Sequence, residues 1–273
     1  MKVRFFLKGS GRRQSMKITY IHHSCFSVEM EDVVLIFDYF KGNLPNFDSK
    51  KHIFLFASHK HPDHFDFNIF ELANKYPHVS FILSNDIKMN EAYMNRKNVP
   101  TQARSNIFYI GKNVTSTYPI LTNDSGLNTK SKENLENPAS LMIETLKSTD
   151  EGVAFIVSHN DKVIYHGGDL NWWSWQGETE DDYNSMTNNF KKEMDIIKGR
   201  EFDAAFVPLD PRQEDRFYWG FDYFMKNTNT KKVFPMHFWM DYSIIFKLKG
   251  LDIAKDYADK VMDINEEGQS FEI

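Results

Sequence analysis

Ile53-Phe54-Leu55-Phe56-Ala57-Ser58-His59-Lys60-His61-Pro62-Asp63-His64 is the stretch on which the reading of this chain turns. Its first five residues are apolar, aromatic or β-branched, and uncharged, the composition of a short strand buried on both faces. Its last six residues hold three histidines and an aspartate. Such side chains at the point where a strand gives way to a loop are the usual placement of chemistry on a layered α/β scaffold. Neutral imidazole and carboxylate are good ligands for zinc and related divalent ions. His59 and His61 are two residues apart, so in an extended segment both side chains point the same way and can reach one ion. Pro62 then turns the chain, and Asp63 and His64 point to a neighbouring position. Two ligand pairs directed at adjacent points suit two ions a few ångströms apart that share a bridging water.

Working outward, the 273 residues suffice for a large core, and 24 Phe, 12 Tyr and 5 Trp make that core aromatic-rich. A formal net charge of −5 excludes a generally basic nucleic-acid binder. The pair Lys231-Lys232 is read as solvated surface. Cys25 is the single cysteine, so no intramolecular disulfide can form. This fits a reducing cytoplasm, the expected location. No apolar run approaches the ~18 residues of a membrane span, and no membrane partner is expected. The apolar part of residues 1–15 is too short for a signal peptide. Those residues are read as an N-terminal extension, with Val3 to Leu7 available as an edge strand, and residues 16–273 as one domain.

Before the opening stretch, Lys17 to Ile21, Cys25 to Met30 and Val33 to Phe37 read as a β-meander, ended by Asp38. After it, Phe65 to Tyr76 has helical spacing and Phe81 to Leu83 reads as a short strand. Ser84 or Asn85 can cap a helix running to about Arg96. Ile107 to Ile110 and Val114 to Ile120 are strands, and the polar run Leu121 to Pro138 is a loop. Strands begin again at Leu141 to Leu146, Val153 to Ser158 and Val163 to Tyr165, followed by Gly167-Gly168-Asp169. Ala204 to Val207 and Lys232 to Phe234 are further strands. Helices are predicted over Asp181 to Lys198, Glu214 to Lys226 and Tyr242 to Val261. The alternation gives an α/β class. There is also an internal echo: Phe26, Val28, Asp32, Val34 and Leu35 match Phe155, Val157, Asp161, Val163 and Ile164 at a constant offset of 129. Either two generic hairpins look alike, or the fold consists of two related β/α halves with the site between them.

These motifs resemble those of the metallo-β-lactamase-fold hydrolases. His59 to His64 matches their H-x-H-x-D-H signature. Gly167-Gly168-Asp169 looks like the G-D motif whose aspartate bridges both metals. Phe234-Pro235-Met236-His237 looks like the late strand that ends in the last histidine ligand, and Asp38 like the aspartate that braces the first-motif loop. Ile18 to Phe26 resembles the opening of the branch that contains ascorbate-phosphate lactonase and many uncharacterised hydrolases. The order and spacing hold from about residue 16 to 250. The resemblance implies a four-layer αββα sandwich, two β-sheets flanked by helices. It implies that His59 and His61 hold one ion, that Asp63, His64 and His237 hold the other, and that Asp169 bridges. The cofactor would be one or two divalent ions, zinc first, with manganese and iron as alternatives. In one respect the chain departs from the family, because the segment expected to carry a further histidine ligand is Lys147-Ser148-Thr149-Asp150-Glu151-Gly152. Either Asp150 supplies an oxygen donor there, shifting preference toward manganese, iron or magnesium, or the segment is only a turn and water completes the coordination.

Four further residues are candidates for substrate binding. His23 contacts substrate or is a hydrogen-bonded loop histidine. His166 braces the site or contacts substrate. Trp172, with Trp173 and Trp175, walls a pocket or belongs to the core. Arg212 grips an anionic group bidentately or forms an ordinary ion pair. His78 and His159 are read as surface turn residues. His61 and Asp63 are read as catalytic: a metal-bound hydroxide attacks, and Asp63 orients it or takes up a proton. No Gly-x-Ser-x-Gly nucleophile motif and no phosphate-binding glycine loop occurs. The expectation is metal-assisted hydrolysis of an ester, lactone or phosphodiester of a small molecule. The alternatives are an RNA or nucleotide phosphodiesterase of the same superfamily, a phospholipid-type phosphodiesterase, and a non-catalytic metal-binding protein. The acidic charge opposes the first, and the missing histidine keeps the last open. The oligomeric state is not specified by the sequence.

Overall fold

The computed structural model describes residues 15–121 and 139–273. The expectations for residues 1–14, and for most of the loop predicted over Leu121 to Pro138, lie outside the described residues. The strands are β1 (Lys17–His22), β2 (Cys25–Glu29), β3 (Val33–Phe37), β4 (His52–Ala57), β5 (Val79–Ser84), β6 (Ile107–Ile110), β7 (Thr115–Pro119), β8 (Ser140–Lys147), β9 (Val153–His159), β10 (Lys162–His166), β11 (Glu201–Pro208), β12 (Asn229–Met236) and β13 (Ser270–Glu272). They form two mixed sheets, one in the order β13-β1-β2-β3-β4-β5-β6 and the other β12-β11-β10-β9-β8-β7.

Alternate residues of the buried strands serve two different layers. In β3, Val33, Leu35 and Phe37 join the core between the sheets, while Val34 and Ile36 face the opposite core. In β4, Phe54 and Phe56 point between the sheets and Ile53, Leu55 and Ala57 away. Apolar surface on both faces is what made the opening stretch read as a continuous apolar run. Aromatic rings join the sheets: Phe26 meets Phe206 at 4.5 Å and Phe56 meets Phe155 at 5.1 Å between centroids.

The outer layers are helical. Ala103 of α3 (Thr101–Arg104), and Phe70 just before α1 (Leu72–Lys75), pack on the first sheet with Phe81. Helices α4 (Glu180–Ile196) and α5 (Trp219–Asn227) cover the second sheet, where Tyr165 stacks on Phe224 at 4.8 Å. The result is the αββα sandwich. Among the described residues, no helix is long and apolar enough to cross a membrane.

The internal echo holds residue by residue. Phe26 pairs with Phe37 and Val28 with Leu35 across the β2–β3 hairpin; 129 positions on, Phe155 pairs with His166 and Val157 with Ile164 across β9–β10. The flanks agree as well. β1 and β8 each lie antiparallel to the first hairpin strand, and β4 and β11 each lie parallel to the second. The two halves therefore share a topology. In each, the chain leaves the parallel strands at the same end of its sheet, and the candidate residues follow these strand ends.

Several predicted helices are shorter than the spacing suggested. Phe65 to Tyr76 contains a 3₁₀ turn over Phe67–Glu71 and then only α1, because the Asp66 side chain caps the tighter turn by accepting from Asn68 N–H at 2.8 Å. Asn90, not Ser84 or Asn85, caps the next helix, α2 (Glu91–Arg96), accepting from Tyr93 N–H at 2.8 Å. Glu214, at φ 55°, breaks the predicted Glu214 to Lys226 helix, and α6 (Ser243–Lys249) stops before Gly250.

Candidate metal centre

Asp38 follows β3 directly, at φ 48°, and its carboxylate is fully buried. It accepts from the Ser58 N–H and the Ser58 hydroxyl, each at 2.7 Å, and from Nδ1 of His64 at 2.8 Å. Ser58 Oγ in turn lies 3.0 Å from Nδ1 of His59. Since the hydroxyl proton goes to Asp38, this hydrogen-bond network assigns Nδ1–H to His59, as it does to His64. Both rings are left with a free Nε2. His237 is arranged in the same way, its Nδ1 2.9 Å from Oδ2 of Asp210. An imidazole oriented from behind by a carboxylate is the usual support for a metal ligand.

The three Nε2 atoms converge on Asp169. His59 lies 3.3 Å from Oδ2, while His64 at 3.2 Å and His237 at 3.4 Å face Oδ1. The carboxylate thus spans two sets of nitrogens. Three groups each bring one donor atom per residue within 4.8 Å of the others: His59, His64 and Asp169; His61, Asp150 and Asp169; and His23, Asp63, His64 and His237. Every residue predicted to hold metal falls in one of these groups. Asp150 stands beside His61 and Asp169.

Two glycines allow this assembly. Gly168 has φ +50°, and a Cβ there would lie 2.7 Å from the Ser58 Cβ. Gly152 has φ +71°, and a Cβ there would lie 1.9 Å from the Ser58 carbonyl oxygen. Both segments press on Ser58 so closely that no side chain fits. The Val153 N–H also donates to that carbonyl at 3.0 Å, which fixes the Asp150 loop against the histidine motif.

The electrostatics are those of carboxylates held ionised among imidazoles. Burial opposes the charge on Asp169, but His64 and His237 hold its carboxyl well below the usual range. Burial likewise opposes ionisation of Asp38, and His64 and then His166 hold it low. For Asp63 the opposing burial is outweighed by His23 and His64, which lower it. Burial would depress His64, yet Asp169 and Asp38 on either side push it well up, favouring beside Nε2 a positive charge that either a proton or a bound cation would supply. Burial, only partly offset by Asp63, lowers His23 to about 4.

Among the described residues, Nε2 of His23, His59 and His64 and Oδ1 of Asp169 are buried and have no hydrogen-bond partner. Buried polar atoms are nearly always paired. Unpaired nitrogen and oxygen acceptors gathered within metal-ligand spacing are what a divalent cation satisfies, so the residues present fit a metal centre.

The cluster opens into a cleft of about 390 Å³. His61, Asp63, Asp150 and Asp169 form its floor, and Trp173, Trp175 and Trp239 its walls, together with Met186 and Arg212. Arg212 is half-exposed, pairs with Asp210 through Nε at 2.9 and 3.0 Å, and lies over the Trp239 ring at 4.6 Å.

Two substrate-binding expectations do not hold. His166 is fully buried between the sheets: Nε2 donates to the Ser24 carbonyl at 2.9 Å, Nδ1 accepts from Gly168 N–H at 3.2 Å, and the ring stacks on Phe37 at 4.8 Å. It braces the hairpin and the Gly168 turn and cannot touch substrate. Trp172 turns away from the cleft, donating to Thr187 Oγ1 at 3.0 Å and packing on Phe190 of α4. His159 is not a surface residue either, being buried and bonded to Asp32 at 2.9 Å. Asp210, two residues past the end of β11, was not anticipated.

A family model described as a β-lactamase superfamily domain matches residues 17–178, more than half of the chain. Among solved structures, Igni18, a metallo hydrolase from the hyperthermophilic archaeon Ignicoccus hospitalis, is 18% identical, with 95% of this chain and 98% of that chain covered and a TM-score of 0.55. The metallo-β-lactamase fold protein YhfI from Bacillus subtilis is 12% identical, with coverage of 95% and 100% and a TM-score of 0.50. CmlA, a diiron β-hydroxylase from Streptomyces venezuelae, is 8% identical at a TM-score of 0.56; 97% of this chain is covered but only 55% of CmlA. No curated protein matches. With a matched family model, the αββα sandwich and a cluster of metal-ligand type at its strand ends, the chain belongs to the β-lactamase superfamily, among the metal-dependent hydrolases of the metallo-β-lactamase fold.

Proposed function

We propose that this hydrolase cleaves an ester, lactone or phosphodiester of a small molecule at a centre of two divalent ions. The observation that carries this reading is the set of buried, unpartnered Nε2 and Oδ1 atoms around Asp169. In this reading His59, His61 and Asp150 hold one ion, Asp63, His64 and His237 hold the other, and Asp169 lies between. When bound, such ions polarise the substrate and lower the pKa of a water to about 7. Nitrogen and oxygen donors together suit zinc first, and Asp150 in place of a histidine makes manganese and iron worth loading as well; CmlA, with the same fold, is a diiron protein.

The chain's own residues supply the rest. Asp63 and His61 border the cleft, and the ionised Asp63 accepts a proton or orients the attacking water. Asp38, Ser58 and Asp210 hold the imidazoles in one tautomer. Trp173, Trp175 and Trp239 exclude bulk water from the floor, and Arg212 presents a cation to an anionic substrate group. A cleft of about 390 Å³ suits a small ligand. Its acidic floor and the net charge of −5 disfavour a polynucleotide. Cys25 is a buried free thiol, which fits the cytoplasmic location we assign.

The test is elemental analysis of protein purified without chelator, followed by assays on generic esters, lactones and bis-aryl phosphodiesters after loading with zinc, manganese or iron. Two ions per chain and turnover in one class, both lost in Asp169→Ala, are expected. A metal-free chain, or a loaded chain inert toward all three classes, sinks the reading.

A further inference from the structure

His23 stands at the tip of the β1–β2 hairpin. The sequence offers it as a substrate contact or a loop histidine, and the structure gives it a different setting. It is 3% exposed, and among the described residues its Nε2 has no hydrogen-bond partner. We propose that His23 is a metal ligand, completing with Asp63, His64 and His237 a four-donor set for one of the two ions. This rests on the two-ion reading above and adds to it a residue assigned no such role.

Three observations carry the inference. One donor atom from each of these four residues lies within 4.8 Å of the others. Four ligands about 2.1 Å from a tetrahedral ion stand about 3.4 Å apart, so a modest contraction closes the set. Second, His23 Nε2 is 3.5 Å from Oδ2 of Asp63, too far for a good hydrogen bond and suited to two ligands of one ion. The His23 ring is 4.3 Å from that of His237 and 5.6 Å from that of His64, two imidazoles of the set, with the Trp239 ring at 4.5 Å beside it.

Third, the backbone is bent to put it there. His23 has φ 53°, a left-handed conformation in a two-residue turn, and the β1–β2 register shifts between Tyr20 and His22. Its N–H donates to the hydroxyl of buried Tyr20 at 3.0 Å, and His166 holds the next carbonyl, that of Ser24. A strained residue fixed from two sides persists where the surrounding structure over-determines it. The ligands are then redistributed between the ions. One ion loses an imidazole to Asp150 and the other gains His23.

The test uses His23→Asn. Asparagine tolerates the left-handed conformation but is too short to reach the ion. Stoichiometry, chelator competition and the cobalt(II) absorption spectrum are measured on the wild-type and variant chains. The expected result is two ions in the wild type. In the variant, one ion should be weakened more than about 100-fold, beyond the usual effect of losing an outer hydrogen-bond partner, with altered cobalt bands for that site. His23→Gly, which removes both strain and imidazole, gives the same answer if the asparagine variant does not fold. Two ions of wild-type affinity in the variant overturn the inference. So does weakened binding with unaltered cobalt bands, because His23 would then only brace Asp63. A wild-type chain that binds no ion overturns the two-ion reading itself.

Discussion

His64 Nδ1 and Asp38 Oδ2 are 2.8 Å apart, and both side chains are fully buried. The same carboxylate takes both Ser58 donors and, through the Ser58 hydroxyl, steadies His59. Asp38 therefore sets the tautomers of two imidazoles without reaching the cleft. In Asp38→Asn one acceptor oxygen becomes a donor facing other donors. Metal affinity should fall about 10- to 100-fold, and the fold should lose about 2–4 kcal/mol from unsatisfied buried groups. Chelator competition and urea unfolding measure the two effects separately; unchanged affinity would show that Asp38 does not orient the ligands.

Gly152 and Gly177 both have left-handed backbones, at φ +71° and +80°, but differ in their surroundings. Among the described residues, a methyl at 177 meets nothing within 4 Å, whereas one at 152 would lie 1.9 Å from the Ser58 oxygen. Gly177→Ala should cost only the conformational penalty of about 1–2 kcal/mol and leave metal binding intact. Gly152→Ala must push the Asp150 loop away from His59. It should destabilise the fold more and also lower metal content, read by thermal melting and elemental analysis. Equal effects from the two variants would show that the close approach is not what holds the loop.

The local motif at Ser58–His64 was legible because its residues are consecutive and follow a strand of unmistakable composition. Asp169 and His237 were legible mainly through their order along the chain. Asp210 carries no local mark, because its function depends on His237, 27 residues away. Trp172 and Trp173 are neighbours that point in opposite directions, and the loop holding them has no period to orient either one. His166 takes the bracing role, one of the two that its sequence position left open. It is the last residue of β10, so strand alternation turns it between the sheets and Tyr165 toward α5. The adjoining Gly-Gly-Asp drew the reading toward the loop. β13, only three residues long, is too short to show alternation at all.

His52 predicts a pH dependence independent of the metal centre. It is 1% exposed, its Nδ1 accepts from Leu121 N–H at 2.9 Å, and its Nε2 is 3.0 Å from Ser80 Oγ. Burial, and then nearby His78, lower it to about 4 from 6.5. Between these values the unfolded chain binds more protons, so stability rises with pH. His52's contribution is complete above about pH 6.5 and declines toward pH 4 by on the order of 3 kcal/mol. In metal-free protein, urea midpoints at pH 4.5 and 7 should differ less in His52→Gln than in the wild type. Equal pH dependence in the two would show that His52 does not titrate in this window.

Trp175 and Trp173 present nearly parallel rings, 3° apart in plane with centroids at 6.0 Å, on one wall of the cleft. Trp173 is 7% exposed and held by its Nε1–H on the Asp169 carbonyl at 2.9 Å, whereas Trp175 is 39% exposed. The outer ring is therefore the one free to receive a planar group. Aromatic stacking contributes about 0.5–1.5 kcal/mol beyond area burial, or roughly 3- to 10-fold in affinity. Trp175 lies on the wall, so its contact should be equal in ground and transition states and appear in KM rather than kcat. Trp175→Ala should thus raise KM for an aryl ester several-fold, leave its kcat unchanged, and barely affect the methyl ester of the same acid. Steady-state kinetics on that pair decide the matter: a fall in kcat for both esters would place Trp175 in the support of the metal centre instead of in substrate selection.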